Sequence, residues 1–297
     1  MIGKELIALA TTLGTQVTMT HNIANTMGED EIIRKLSELL LQSVRRLARK
    51  RTAIAFSGGL DSSLITHLHK GVCKVELFTV YTKGSHDERA SVNAASILGM
   101  EDRLHLYLLS EHELEAVLPN AIAALGSTSF FDLGIALPLY IASREAHRTG
   151  FEAITTGQGA DELFGGYKRY ETMKPKKLDE ELRRDLLKLT KQDLKRDYNA
   201  ARDHSIELQL PFLEPELVEF AKQIPAELKV RNNVRKYILQ RTAQTIGLPP
   251  ELSFRDKKAA QYSSGIQKTL KKIARRNGYG KNQTEQYLTD TASLAPH

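Results

Sequence analysis

"TAIAFSGGLDSSLITHL", residues 52–68, passes from an apolar run of strand character to a run of helical period through Ser57-Gly58-Gly59, and its reading decides the fold. Two adjacent glycines let a backbone approach a ligand closely and adopt positive φ. The first N–H groups of the helix that follows have no partner within it, and the helix dipole adds positive charge there, so the turn suits an anion. Ser57, Ser62 and Ser63 supply hydroxyl donors. Asp61 repels a phosphate unless a cation lies between them, which points to Mg2+ held by one or two carboxylates and phosphate oxygens. The competing reading is a helix start capped by Ser and Asp, with the glycines serving a tight turn. Neither common nucleotide pattern applies. GxxxxGK[ST] is absent from this loop, and Glu162 stands where GxGxxG needs its third glycine in "GQGADE".

Working outward, "EDEIIRKLSELLLQSVRRLAR" is an amphipathic helix, with Ile32, Ile33, Leu36, Leu39, Leu40 and Val44 on one face. Its acids come first and its bases last, as the dipole favours. "VELFTVYT", "RLHLYLLS" and "FEAITTG" read as further strands. "DERASVNAASILGM", "EHELEAVLPNAIAAL" and "ALPLYIASREAHRTG" read as helices between them. This alternation predicts an α/β fold: an open parallel sheet with helices on both faces, followed by a mostly helical C-terminal part. The fourth strand runs straight into a second glycine-bearing loop at Gly157. Ligands of open α/β sheets sit at the carboxyl ends of strands, so both loops face one crevice if their strands are neighbours. "SIELQLPFLEPELVEFAKQIPAEL" mixes turns with a helix. Residues 1–30 carry only weak periodicity, and residues 281–297 read as a polar tail expected to be mobile.

Composition narrows the classes. The chain has 297 residues, 41% of them hydrophobic, enough for one large core or two modest ones. A net charge of +6 suits an anionic substrate and does not by itself imply nucleic acid. Cys73 is the sole cysteine, which excludes an internal disulfide and a cysteine metal site. No apolar run reaches the ~18 residues of a membrane span, and the N-terminus lacks a long uncharged segment. These features predict a cytoplasmic protein without membrane contact. His67 and His69 lie two apart, on different helical faces, and read as ordinary residues. Asp161 and Glu162 on their own read equally as acids in the first turn of a helix, with Lys168 and Arg169 close by.

"SGGLDSS" after a strand resembles the pyrophosphate loop of the ATP pyrophosphatases, which split ATP between the α and β phosphates. "TTGQGADELFGGYKRY" (155–170) resembles the second signature of asparagine synthetases. "SIELQLPFLEPELVEFA" resembles their E-x-R-x-P-F-L-D segment, and "FRDKKAAQYSSG" their C-terminal R-x-K segment. The four motifs stand in the family's order. The resemblance implies an adenine nucleotide alpha hydrolase-like fold across a synthetase domain spanning residues 31–280. It also implies a ligase that makes an acyl-adenylate from ATP and aspartate, releases pyrophosphate and forms asparagine with ammonia. By position, Ser57, Gly58, Gly59, Asp61, Ser62 and Ser63 hold pyrophosphate, with Gly157 beside them. Asp61 and Asp161 carry Mg2+, and Phe56 and Val80 line the adenine pocket. Lys257 or its neighbour Lys258 neutralises phosphate charge during adenylation; spacing does not choose between them.

The chain departs from the family pattern in four places. The usual member has an N-terminal glutaminase domain whose nucleophile is the cysteine after the initiator Met. Here residue 2 is Ile2 and about 50 residues precede the loop, so the expectation is free ammonia, ammonia from a separate glutaminase subunit, or another nucleophile. Gln158 replaces the Glu assigned to proton removal, and an amide accepts no proton at neutral pH. Gln209 replaces the Arg of E-x-R-x-P-F-L-D, and Glu214 its Asp. These changes leave the ATP half of the site intact and alter the acceptor half. Two alternatives stand beside asparagine formation. One is an adenylating ligase with another carboxylate or amine; the other is a regulator that binds nucleotide without turnover. A tRNA-modifying pyrophosphatase lacks support, because no cysteine pair is present.

Overall fold

Five strands form one parallel sheet. The computed structural model describes residues 27–254 and 264–293. Strands β1 (Arg51–Ala55), β2 (Lys74–Tyr81), β3 (Leu104–Leu108), β4 (Ala153–Thr155) and β5 (Glu207–Gln209) lie in the order β3-β2-β1-β4-β5. Every neighbouring pair is parallel, and Ile54 stands opposite both Leu77 of β2 and Thr155 of β4. Parallel neighbours need crossovers, and helices supply them. α1 (Glu29–Leu47) precedes β1, α2 (Leu60–Lys70) joins β1 to β2, and α3 (His86–Leu98) joins β2 to β3. α4 (Glu111–Leu125) and α5 (Phe130–Arg148) return the chain to β4. Strand order reverses at β1, so right-handed crossovers put α2 and α3 on one face and α5 on the other. The expected α/β sheet with helices on both faces is the one observed.

Local rules account for the elements. α1 buries the predicted stripe of Ile32, Ile33, Leu36, Leu39, Leu40 and Val44 against α2 and the C-terminal helices. Each such side chain contributes roughly 1.5–3 kcal/mol by leaving water. Ala53 and Ile54 of β1 are fully buried because both faces of the sheet are covered. α4 opens with a capping box between Ser110 and Glu113 and closes at Gly126 in the left-handed region. α5 begins at Phe130, before its apolar period becomes regular, because the Ser129 hydroxyl accepts from the Asp132 N–H at 3.3 Å.

The second half is mainly helical: α6 (Ala160–Phe164), α7 (Pro175–Lys188), α8 (Leu194–Arg202), α9 (Pro215–Gln223), α10 (Ala226–Lys229), α11 (Tyr237–Thr245), α12 (Pro250–Ser253), α13 (Ile266–Arg276) and α14 (Thr284–Ala292). Two stretches differ from expectation. "SIELQLPFLEPEL", read as turns and helix, contributes β5, whose three residues pair with β4 and are too few to show a period. The supposed polar tail forms α14, which packs on α4 and α13 through the buried Tyr287 and Leu288. Among the described residues no single helix is long and apolar enough to cross a membrane; α4 and α5, apolar as a pair, bend by 102° where they meet.

Candidate functional site

The loops after β1 and β4 emerge side by side at the point where strand order reverses, the position at which open α/β sheets bind ligands. Gly58 takes φ +70°, and a Cβ there would lie 2.3 Å from the Ala90 carbonyl oxygen, so the loop is pressed onto α3. Gly59 is extended and begins α2 without needing a positive φ. The Ser57 and Ser62 hydroxyls meet at 3.3 Å, and Ser62 Oγ donates to the Gly59 carbonyl at 3.2 Å. Phe56 is held at the strand end, where Thr79 Oγ1 donates to its carbonyl at 2.6 Å.

The second loop closes on the first. A Cβ on Gly157 would stand 2.8 Å from Asp61 Cβ, so only glycine admits this approach. Asp61, from α2, and Asp161, from α6, converge on one cation, the Lys236 ammonium. Its Nζ lies 2.5 and 2.6 Å from the two Asp61 oxygens and 2.6 Å from Asp161 Oδ1. Lys236 is 3% exposed. Burial works against its charge, yet Asp161 and Asp61 together raise its pKa above the ordinary lysine value. Lys236 is delivered by a turn in which Asn232, Asn233 and Lys236 all take positive φ. Asn tolerates that region; Lys at φ 55° is strained, and its ion pairs hold it there. Arg235 donates to the Gly166 carbonyl at 3.1 Å and pairs with Glu171 at 2.8 Å, fixing the same turn from the other side.

These groups line a cavity of about 560 Å3, the size of a small-molecule site. Of the residues singled out in the sequence, Phe56, Ser57, Gly59, Asp61, Ser62, Val80, Gly157, Gln158 and Asp161 line it. Gly58 supports the loop from behind. Ser63 is fully buried away from the cavity, and its hydroxyl has no hydrogen-bond partner. Lys257 and Lys258 lie outside the described residues. Among those described, no group of three or more His, Cys, Asp and Glu side chains could hold a metal.

Next to Gly157 in the second loop, the Gln158 amide donates to Asp197 Oδ2 at 3.0 Å. Asp197 Oδ1 accepts from Arg196 Nε at 2.9 Å, and Arg196 Nη1 also reaches Asp132 and Asp193 at 3.2 Å each. The other two substitutions lie elsewhere, which corrects the reading that the acceptor half is altered at three points. Gln209 is 2% exposed beneath the sheet ends; its Oε1 accepts from Thr155 at 3.1 Å and its Nε2 donates to Glu207 at 3.2 Å. Glu214 pairs with Arg46 of α1 at 3.0 Å. Neither lines the cavity. Glu162 is buried and accepts from the Tyr167 hydroxyl, while Arg169 pairs with Asp185 and lies over the rings of Tyr167 and Tyr170. Arg169 is therefore no partner of the acids at 161 and 162. His67 and His69 bond backbone carbonyls of Ile246 and Ile65, as ordinary residues.

Lys236 and Asp197 were missed in the sequence. Lys236 sits in "NNVRKYILQ", whose only hint is two asparagines before a helix. Asp197 sits in a run of alternating charge that reads as a solvated helix.

The sequence profile of the family described as asparagine synthase matches residues 35–177 and 171–296. A Methanocaldococcus jannaschii protein whose name, asparagine synthetase [glutamine-hydrolyzing] 1, is itself provisional is 34% identical over 86% of this chain and 53% of its own. Asparagine synthetase B [glutamine-hydrolyzing] of Escherichia coli is 28% identical over 74% of this chain and 43% of its own. The Gallus gallus asparagine synthetase [glutamine-hydrolyzing] is 29% identical over 75% of this chain and 41% of its own. The chain thus spans about half the length of the relatives it matches. With the profile covering nearly all of the sequence from residue 35 onward, the chain belongs to the asparagine synthase family.

Proposed function

We propose that this chain uses ATP to adenylate a carboxylate, releases pyrophosphate and passes the acyl group to a nitrogen nucleophile, with aspartate as the acid and ammonia as the nucleophile. The observation that carries this reading is the convergence of Asp61 and Asp161, from the first turns of the helices that follow two neighbouring strands, on one positive charge that lines the cavity. Pure nucleotide binding has no need of that arrangement. Two carboxylates gathered around a single cation are a donor set that suits Mg2+ with phosphate oxygens completing its shell. When bound there, the metal would neutralise developing charge on the phosphates. The chain's own groups act around it. Backbone N–H groups at the start of α2 and the hydroxyls of Ser57 and Ser62 hold the pyrophosphate, Phe56 and Val80 flank the adenine, and Lys257 or Lys258 meets charge on the α phosphate.

The test is an ATP–pyrophosphate exchange screen across amino acids and small carboxylates. Exchange dependent on aspartate and Mg2+, followed by asparagine formation from ammonia or from a separate glutaminase subunit, is the expected result. Exchange with a different acid only would favour the second reading, a related adenylating ligase, to which Gln158 in the acceptor end lends its weight. Nucleotide binding without exchange for any acid would sink both.

A further inference from the structure

Amide formation has a proton to dispose of. As a nitrogen lone pair attacks the acyl carbon, the nitrogen becomes positively charged and must lose a proton for the amide to form. Residue 158 cannot take it, because an amide oxygen is an acceptor of hydrogen bonds and not of protons at neutral pH. Among the described carboxylates lining the cavity, Asp61 and Asp161 share the Lys236 ammonium and Glu171 holds Arg235. Asp87 stands past the end of β2, across β1 from the β4 loop that carries Gln158. Asp197 remains. It lines the same cavity, and its Oδ2 is 3.0 Å from Gln158 Nε2. An ionised carboxylate only accepts, so the NH2 side of the Gln158 amide faces Asp197 and its Oε1 is left to accept from an incoming N–H.

We propose that Asp197 is the proton acceptor for amide formation, with Gln158 as the positioning residue that holds the nitrogen nucleophile beside it. The inference rests on the adenylating function proposed above. The nitrogen forms the C–N bond, the C–O bond to the adenylate breaks, AMP leaves with the electron pair, and one N–H proton passes to Asp197 Oδ2. The surroundings suit the task. Burial pushes the Asp197 carboxyl above its usual range, Arg196 pulls it down, and Asp193 and Asp132, facing it from the segment before α8 and from α5, push it up again. The net effect is a stronger base than an exposed aspartate. Arg196 keeps Asp132 and Asp193 as partners at 3.2 Å, so its burial does not require Asp197 to serve as counter-ion alone.

The full chain carrying Asp197→Asn keeps the side chain's shape and an acceptor for Gln158, and loses the capacity to take a proton. Two readouts separate the steps: ATP–pyrophosphate exchange, and single-turnover amide formation from ammonium chloride across a pH series. Exchange should stay within about threefold of wild type while amide formation falls by roughly 10²–10⁴, the range of a positioned base, and the acid limb of its pH profile disappears. Adding Gln158→Glu to Asp197→Asn should recover part of the loss, since a carboxylate returns to the cavity beside a neutral neighbour. Should Asp197→Asn fail to fold, Asp197→Ser, which likewise cannot take the proton, gives the same contrast, with amide formation reduced and exchange kept. Amide formation at the wild-type rate in either variant, or an equal fall in exchange and amide formation, overturns the proposal. Wild-type protein without exchange for any acid overturns the functional reading, and this inference with it.

Discussion

Replacing Lys236 by methionine removes one charge and almost no volume. Asp61 and Asp161 then lose the cation on which they converge. The Lys236 side chain is 4% exposed, and those of Asp61 and Asp161 are 20% and 17% exposed. Removing one partner from a buried ion pair costs about 3–5 kcal/mol, and the part-exposed carboxylates put this case at the lower end, about 3 kcal/mol. For a domain of this size each kcal/mol moves Tm by roughly 2–4 °C, so a fall of roughly 6–12 °C is expected in EDTA at neutral pH. Millimolar Mg2+ should restore part of that loss, because a cation that binds only the folded state stabilises it by mass action, ~2.7 kcal/mol at a hundred times its Kd. Wild type should respond less, since Lys236 already occupies the position between the carboxylates. Calorimetry of both proteins, with and without Mg2+, measures the four values. A fall below about 2 °C, or Mg2+ shifts equal in the two proteins, would refute the view that Lys236 is their shared counter-ion.

Other outcomes follow from single features. Gly58→Ala should cost at least the roughly 1–2 kcal/mol of a left-handed alanine, and more from the Ala90 carbonyl 2.3 Å from the new Cβ. Gly59→Ala meets only Ser57 Oγ at 3.4 Å, and urea denaturation should find it changed by less than about 1 kcal/mol. Burial lowers the Lys229 pKa to about 8, below the ~10.4 of the unfolded chain, so between these values the unfolded state binds more protons. Folding stability should therefore rise with pH across that window, by on the order of 3 kcal/mol, and Lys229→Met should abolish the slope and stabilise the protein at pH 7. Of Lys257→Ala and Lys258→Ala, one should cut exchange by roughly 10²–10³; if neither does, the C-terminal motif is misaligned.

The two glycine loops of the site were legible because their pattern is local. Ala55 to Ser63 carry the strand end, the turn and the helix start in one contiguous run, and Thr155 to Asp161 repeat the scheme. Adjacency of β1 and β4 turned two local patterns into one crevice. Lys236 was illegible because its role depends on a contact with Asp61 across 175 positions, and nothing in a charged residue before a helix marks it as buried. Asp197 failed for a related reason: the helix around it is polar by composition, and the packing of α5, α4 and β5 against it creates the interior. Gln209 and Glu214 misled in the other direction. A family position read as part of the acceptor site proved to be a hydrogen bond under the sheet and an ion pair to α1. β5 is three residues long, and α14 buries only Tyr287 and Leu288 among its large apolar side chains, too little signal for any periodicity test.

The 2.8 Å approach that a Cβ on Gly157 would make to Asp61 bears on how this site can change over time. The two loops are separated by about a hundred positions in the chain, yet they share one van der Waals surface. Neither can drift alone. A side chain at 157 is admissible only if residue 61 gives way, and residue 61 cannot shrink without giving up half of the carboxylate pair. Paired replacements at these two positions should therefore show strong non-additivity, while Gln158 and Asp197, which meet through a single hydrogen bond, stay open to stepwise exchange. Diversification of such a scaffold would concentrate at residue 158 and its partner, with the two interlocked loops held fixed.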